Sequence, residues 1–418
     1  MYGAEMQRMN GAPGQRVPVP PIPAFLEEFE LGYLDLNGTW KLRGFDGQHG
    51  WPDNFCGDAC DERVFIDAQV PGGVHLDLER AGLIDDCLVG LNAQKAQWVE
   101  DRLWIYRTRF DAPKEALEQR SWLVFEGLDL CARIYLNGAE VGGHANVFVP
   151  CRIDVTGKLR EGSNSLVVRI ESGLHSVAEK SVTGYSPALA DVTTKRPWLR
   201  KPQCQFSWDW APRLINVGIW RPVRLEWAET ARIDAVTVYP ELAEDHGSAR
   251  IHARVFVENV APDPVKATLR MTVVETGATV ESEVELPAGT SRQDLSAEVT
   301  NPKLWWPRPH GDQPLYNVKV ELLIGGHAVD SSEKRTGIRS IRINQGPHPE
   351  TGDHFILEVN GRPIFCKGGN WVPPDIIFGR IDREMYRKLV ELAVEANFNA
   401  LRIWGGGLYA DHHLLDAC

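Results

Sequence analysis

The chain is expected to be a mainly β, multidomain protein in which two antiparallel sandwiches precede a strand–helix–strand unit. Three observations point there. Over residues 29–228, short apolar runs are separated by turn signals, with little helical periodicity. Over 229–337, apolar and polar residues alternate, most cleanly in Arg250-Ile251-His252-Ala253-Arg254-Val255-Phe256-Val257, the period of a half-buried strand. From Arg362 the pattern changes to strand, long loop, helix, tight turn and strand. A length of 418 residues suits about three domains, each able to bury a core.

Composition narrows the classes. A hydrophobic content of 43% with 24% charged residues is that of an ordinary globular chain. No run approaches the roughly 18 apolar residues that a membrane span needs. A net charge of -12 disfavours nucleic acid or an anionic membrane as partner. Residues 1–28, rich in Gly, Pro and polar types, lack periodicity and an apolar signal-peptide core, so a flexible tail is expected there. The eight cysteines follow no repeat spacing, and Cys56 and Cys60 have no second ligand pair at zinc-site distance. Cys131, Cys151 and Cys366 lie in apolar runs, where a reduced thiol is a small core group. A cytoplasmic protein without metal or cofactor is the expectation.

The elements follow in order. Asn-Gly, the strongest short hairpin signal, stands between strand-like residues at 37–38, 137–138 and 360–361. Strand runs at 103–110, 122–125 and 166–170 complete an antiparallel sandwich over 29–228. Runs at 236–239, 251–257, 267–274, 280–286 and 315–323 suit an immunoglobulin-like sandwich of about seven strands. Next, Ile364, Phe365 and Cys366 form a short apolar run that ends at Gly368-Gly369. Asp382 caps a helix whose Tyr386, Leu389, Val390, Ala393 and Ala396 share one face, and Asn397 can close it in the left-handed conformation. A second strand at 399–404 makes a βαβ unit with parallel strands. Its strand ends carry Asn370-Trp371 into Val372-Pro373-Pro374, and Arg402 and Trp404 into Gly405-Gly406-Gly407. Carboxyl ends of parallel strands are where ligands bind, and glycines admit a close approach, although a packed tryptophan beside a flexible turn explains these residues as well.

GNWVPPD, then a helix, then LRIWGGGLY resembles the opening of the catalytic barrel in glycoside hydrolase family 2, and within it the β-mannosidases. The resemblance extends upstream. Val70-Pro71-Gly72-Gly73-Val74-His75, Trp104-Ile105-Tyr106-Arg107 and Phe125-Glu126-Gly127-Leu128-Asp129 are markers of the family's N-terminal jelly roll. Leu304-Trp305-Trp306-Pro307 marks its immunoglobulin-like domain, where Trp305 and Trp306 are expected to pack. The implied layout is a tail at 1–28, a jelly-roll β-sandwich at 29–228, an immunoglobulin-like β-sandwich at 229–337, and at 338–418 the first strands and helix of a truncated (β/α)8 barrel. In β-mannosidases a Trp-Asp-Trp segment reaches into the barrel mouth, and here Trp208-Asp209-Trp210 matches it. Asp209 would accept hydrogen bonds from sugar hydroxyls; the alternative is that it caps a turn between packed indoles. The substrate-binding set implied is Asp209, Trp208, Asn370, Trp371, Arg402 and Trp404.

A (β/α)8 barrel takes about 250 residues, so an N-terminal part ending early in the barrel is expected. Retaining glycosidases need two carboxyl groups about 5–5.5 Å apart. The family's acid/base glutamate follows an Asn, yet the sequence has no Asn-Glu dipeptide. Both catalytic glutamates are therefore expected beyond Cys418. Glu358, before the first barrel strand, and Glu384, in a helix's first turn, are poor substitutes. His412 and His413 sit next to each other on a starting helix and are expected to diverge as a solvated turn rather than share a metal. The implied activity is a retaining exo-β-mannosidase acting on β-mannoside oligosaccharides, with an inactive 418-residue chain. The alternatives are an exo-β-glucosaminidase, β-galactosidase or β-glucuronidase, or a non-catalytic carbohydrate-binding or scaffold protein.

Overall fold

A computed structural model describes residues 32–46, 55–57, 60–184 and 195–418; the tail expected at 1–28 lies outside them. The first sandwich faces a six-stranded sheet against a four-stranded one. The larger runs, in spatial order, Ile66–Val70, Gly38–Phe45, Leu103–Asp111, Ser163–Glu171, Cys131–Leu136 and Ala139–His144. The smaller runs Gly32–Asp35, Val223–Ala228, Arg120–Phe125 and Cys151–Asp154. Trp40, Trp104, Tyr106, Phe125, Ile134 and Val168 fill the space between them.

The three Asn-Gly pairs do not behave alike. Asn137-Gly138 joins Cys131–Leu136 to Ala139–His144, and Asn360-Gly361 joins Ile356–Val359 to Arg362–Ile364. Each pair has positive φ at both residues (52° and 86°, 50° and 73°), as a two-residue type I′ hairpin requires. Asn37-Gly38 is no hairpin. Gly32–Asp35 pairs with Val223–Ala228 in one sheet, whereas Gly38–Phe45 pairs with Ile66–Val70 and Leu103–Asp111 in the other. The chain crosses between sheets here, so that Leu36 and Trp40 enter one core. Asn37 Oδ1 fixes the crossing by accepting from Val223 N at 2.8 Å.

The second sandwich has seven strands. Ala231–Leu242, Ser248–Asn259 and Gly289–Thr300 form one sheet; Ala278–Leu286, Val265–Val273, Tyr316–Ile324 and His327–Thr336 form the other. Gly289–Thr300 and His327–Thr336 were not among the strand runs read from sequence, because each is mostly polar. The first buries only Leu295, Ala297 and Val299, the second only Val329 and Asp330. The two sandwiches meet where Arg152 Nη1 pairs with Glu258 Oε2 at 2.6 Å, its guanidinium 3.9 Å above the Trp122 ring.

A three-stranded antiparallel sheet, Ile341–Asn344, Ile356–Val359 and Arg362–Ile364, leads into the βαβ unit. Gly368–Trp371 and Ala400–Ile403 are parallel, with Asn370 opposite Arg402, and helix Arg383–Glu395 lies between them in sequence. The apolar run at 364–366 is not the parallel strand. Ile364 ends the preceding hairpin and is buried, but Phe365 is 82% exposed and Cys366 is exposed. Pairing starts at Gly368 because a Cβ there would lie 1.8 Å from the Ala400 carbonyl oxygen, so only glycine admits the neighbouring strand. Asp382 caps the helix, accepting from Met385 N at 2.7 Å, and Asn397 closes it at φ 60°. Tyr386 and Val390 are its buried residues, while Leu389 and Ala393 are half-buried and Ala396 is exposed.

This unit is seated on the first sandwich. Ile376, Ile377 and Phe378, in the loop after Gly368–Trp371, pack with Cys204, Ala211 and Leu214. A Cβ at Gly379 would lie 2.3 Å from the Gly72 carbonyl oxygen, so the two backbones nearly touch. Arg221 pairs with Asp411 at 3.0 Å, and Arg335 of the second sandwich pairs with Asp416. Trp305 and Trp306 pack in this joint: Arg339 lies 4.3 Å over Trp305, Arg362 lies 5.1 Å over Trp306, and Asn360 donates to the Trp305 carbonyl at 3.1 Å.

Candidate functional site

The site is built where a hairpin of the first sandwich meets a parallel strand end. Phe206–Trp208 pairs with Ala211–Arg213, leaving Asp209 and Trp210 as a two-residue turn. Phe206 and Ala211 are buried at its root, and Leu214 N donates to the Gln205 carbonyl at 2.9 Å. Trp208 and Trp210 stay 40% and 41% exposed. Trp404, just past Ala400–Ile403, meets both edge-on, with ring centroids 5.2 Å and 5.8 Å away. Such contacts orient rings as well as bury them. Glycines make the approach possible: a Cβ at Gly406 would lie 2.1 Å from the Trp404 ring, and one at Gly407 would lie 2.6 Å from Pro373. The loop is tied to the hairpin's root by Cys204 N, which donates to the Gly406 carbonyl at 3.1 Å.

Asp209 is exposed and forms no hydrogen bond or ion pair with any described residue. A turn cap needs a partner, and this carboxylate has none among the described residues. Asn370 and Arg402, opposite each other on the parallel strands, are joined by Arg402 Nη1 donating to Asn370 Oδ1 at 2.9 Å. Strand alternation puts both on one face and Trp371 on the other. There Trp371 stacks on Tyr386 of the helix, 6.2 Å between centroids and 24° between planes. The structure thus brings Trp208 against Trp404, with Asp209 in the turn next to Trp208, pairs Asn370 with Arg402 two residues before Trp404, and stacks Trp371 on the helix. Trp210 joins Trp208 against Trp404, a role the sequence reading did not assign.

The two glutamates weighed as substitutes for the catalytic pair are engaged elsewhere. Two hydrogen bonds from Arg387, at 2.6 and 2.8 Å, hold the Glu384 carboxyl down at about 2. It is ionised at neutral pH and cannot act as a general acid. Glu358 pairs with Arg342 at 2.9 Å and accepts from Asn344 at 3.1 Å. His412 and His413 do not diverge as expected: their rings lie 4.0 Å apart, and with Asp411 they form a possible ligand cluster. Asp411 is already committed, however. Its Oδ1 caps His413 N at 2.9 Å and its Oδ2 holds Arg221 at 3.0 Å, so a metal would compete with that ion pair.

Behind the hairpin lies a buried polar chain that no motif announced. Lys201 Nζ pairs with Asp129 Oδ1 and donates to the Asn216 carbonyl at 2.6 Å. Gln205 Nε2 donates to Asp129 Oδ2 at 3.3 Å, and Gln205 Oε1 accepts from Asn216 N at 3.0 Å. Asn216 Nδ2 donates to the Ile376 carbonyl at 2.8 Å. Burial pushes the Asp129 carboxyl up while Lys201 pulls it back. The nearby His75 is pushed down to about 3, first by burial and then by the Lys201 charge. The only sequence signal was a lone amide in the apolar run Leu214–Ile219.

Comparison with known proteins agrees with this architecture. A family profile described as "Glycosyl hydrolase 2 galactose-binding domain-like" matches residues 40–221, and one described as "Glycosyl hydrolases family 2" matches 231–339. Beta-mannosidase B of Thermothelomyces thermophilus is 35% identical over 391 residues, which cover 92% of this chain and 43% of that protein. Beta-mannosidase B of Emericella nidulans is 34% identical over 373 residues, 88% of this chain and 44% of that one. The crystal structure of beta-D-mannosidase from Dictyoglomus thermophilum superposes with a TM-score of 0.82 at 35% identity, covering 93% of this chain and 46% of that chain. An exo-chitosanase of Amycolatopsis orientalis, at 19% identity and a TM-score of 0.71, shares the fold. This chain spans less than half the length of each of these relatives. With two successive domains matching one family over most of the chain, and a βαβ unit following them, the chain belongs to glycoside hydrolase family 2.

Proposed function

We propose that this chain is the N-terminal part of a retaining, exo-acting β-mannosidase that removes terminal non-reducing β-D-mannose. The observation that carries the reading is the meeting of the Trp208-Asp209-Trp210 turn with Trp404 at a parallel strand's carboxyl end. The names of the relatives that align over most of the chain support it. In this reading Asp209, exposed and without a partner among the described residues, accepts two hydroxyl hydrogen bonds from the terminal sugar. The indoles of Trp208 and Trp404 wall the ring, and the Asn370–Arg402 pair supplies polar contacts beneath it. Trp371 supports that floor from the helix side.

Two carboxyl groups about 5–5.5 Å apart would then act, one protonating the leaving oxygen and the other attacking the anomeric carbon to form a glycosyl-enzyme that water hydrolyses. Both belong to later barrel strands in a longer chain, and the 418 residues supply sugar recognition. Eight unpaired cysteines favour a reducing, cytoplasmic setting.

The test is release of nitrophenol from β-mannoside, β-glucosaminide, β-galactoside and β-glucuronide by the 418-residue chain and by the longer chain carrying a whole barrel. Turnover is expected from the longer chain on the mannoside and from neither chain on the rest. Activity of the 418-residue chain would refute the placement of the glutamates. Preference for another glycoside would move the reading within the family.

A further inference from the structure

We infer that Asn216 is a positioning residue, holding the Asp209 hairpin in register with the loop that follows the Gly368–Trp371 strand. Asn216 is 8% exposed and binds three residues in two separate segments. Its N–H goes to the side chain of Gln205, the residue before the hairpin; its carbonyl goes to Lys201; its amide goes to the Ile376 carbonyl in the strand-end loop. Asp129, on the sandwich floor, ties Lys201 and Gln205 together behind it. Asn216 is thus the node through which a sandwich hairpin and a parallel strand-end loop take one fixed separation.

A stability role alone does not account for an amide here. Asn216 Oδ1 has no hydrogen-bond partner among the described residues, in a small hollow lined by Gly72, Gly73, His75 and Trp220. Leaving a buried polar atom unpaired costs free energy that an apolar side chain would avoid. What an apolar residue cannot do is grip the Ile376 carbonyl. The two groups it links face the same place: the hairpin carries Asp209, and the loop begins at the strand end that carries Asn370.

The inference rests on the β-mannosidase reading for its kinetic test and not for its structural one. In the longer chain, N216D keeps the volume and both backbone bonds but loses the donor to Ile376. It is expected to raise KM for the nitrophenyl β-mannoside about ten-fold with kcat changed much less, the effect of losing about 1.4 kcal/mol of binding. Because Asn216 acts through Asp209, the same substitution in a D209A background is expected to change kcat/KM less than about two-fold. Equal losses in both backgrounds, or none in either, would overturn the inference. Should N216D fail to fold, G379A, whose Cβ would press on the Gly72 carbonyl, displaces the same loop and carries the same cycle. If the unsubstituted longer chain does not cleave the mannoside, the functional reading fails, and hydrogen exchange on the 418-residue chain still decides the inference. N216D is expected to speed exchange at 206–213 and 376–381 together, with 120–125 unchanged; a change at 376–381 alone refutes it.

Discussion

Two side chains show how differently a charge can be held in this molecule. Asp209 is exposed and has no partner among the described residues, which leaves its carboxylate open to a ligand from solution. In the longer chain, Asp209→Ala is expected to lower kcat/KM on the mannoside about ten- to several-hundred-fold, from charge-assisted bonds of roughly 1.5–3 kcal/mol each. Asp209→Asn keeps one acceptor and should cost less. Melting temperature should hardly move in either variant, and a stability loss without a kinetic one would remove Asp209 from the site. His75 is the opposite case, fully enclosed and held neutral, its pKa pushed down to about 3. Between its ordinary value near 6.5 and that depressed value, only the unfolded chain takes up the proton. Stability is therefore greater at higher pH across this window and declines on acidification, by roughly 1.4 kcal/mol per pH unit for this one group. A variant with Asn at 75 lacks the linkage. The stability difference between wild type and His75→Asn, from denaturant titrations at pH 7, 6 and 5, should shift against wild type as pH falls, and a constant difference would show that His75 is not held neutral.

The strand-end loop with its three glycines shows how far a local motif reaches. Gly406 lies under the Trp404 ring, whereas a Cβ at Gly405 would meet nothing within 4 Å. Gly406→Ala is expected to push Trp404 off Trp208 and Trp210, with an overpacking cost of about 1–3 kcal/mol and a matching fall in melting temperature. Gly405→Ala should be silent, and equal effects of the two would contradict this packing. The hairpins at Asn137-Gly138 and Asn360-Gly361, the Asp382 cap and the Asn397 stop were legible because each depends on neighbours in sequence. The crossing at Asn37-Gly38 was not: both ends of that segment are strands, and only the core they share decides which sheet each joins. Trp371 was likewise read as a site residue from its place at a strand end, whereas the pleat turns it onto Tyr386.

At the scale of the whole molecule, two closed sandwiches carry a βαβ unit whose parallel strands have one partner each among the described residues. Its anchors are Ile376–Phe378 on the first sandwich and the ion pairs Arg221–Asp411 and Arg335–Asp416. Phe365, Leu392 and Leu415 remain exposed around it. Limited proteolysis of the 418-residue chain is expected to cut within 380–402 before either sandwich, because a two-stranded sheet with open edges unfolds locally at low cost; equal protection would count against this. Sequence alone determined the order of the domains, the parallel unit after them, and the Trp-Asp-Trp and Trp-Gly-Gly-Gly segments of the candidate site, since period, turn chemistry and short motifs are written in neighbouring residues. Tertiary structure alone decided that Trp208 and Trp210 both pack on Trp404, that Trp371 stacks on Tyr386, and that Lys201, Asp129, Gln205 and Asn216 form one buried chain. The buried chain closes within the first sandwich, from residues as far apart as Asp129 and Asn216, whereas the contacts of Trp210 with Trp404 and of Asn216 with Ile376 close only when that sandwich docks on the βαβ unit.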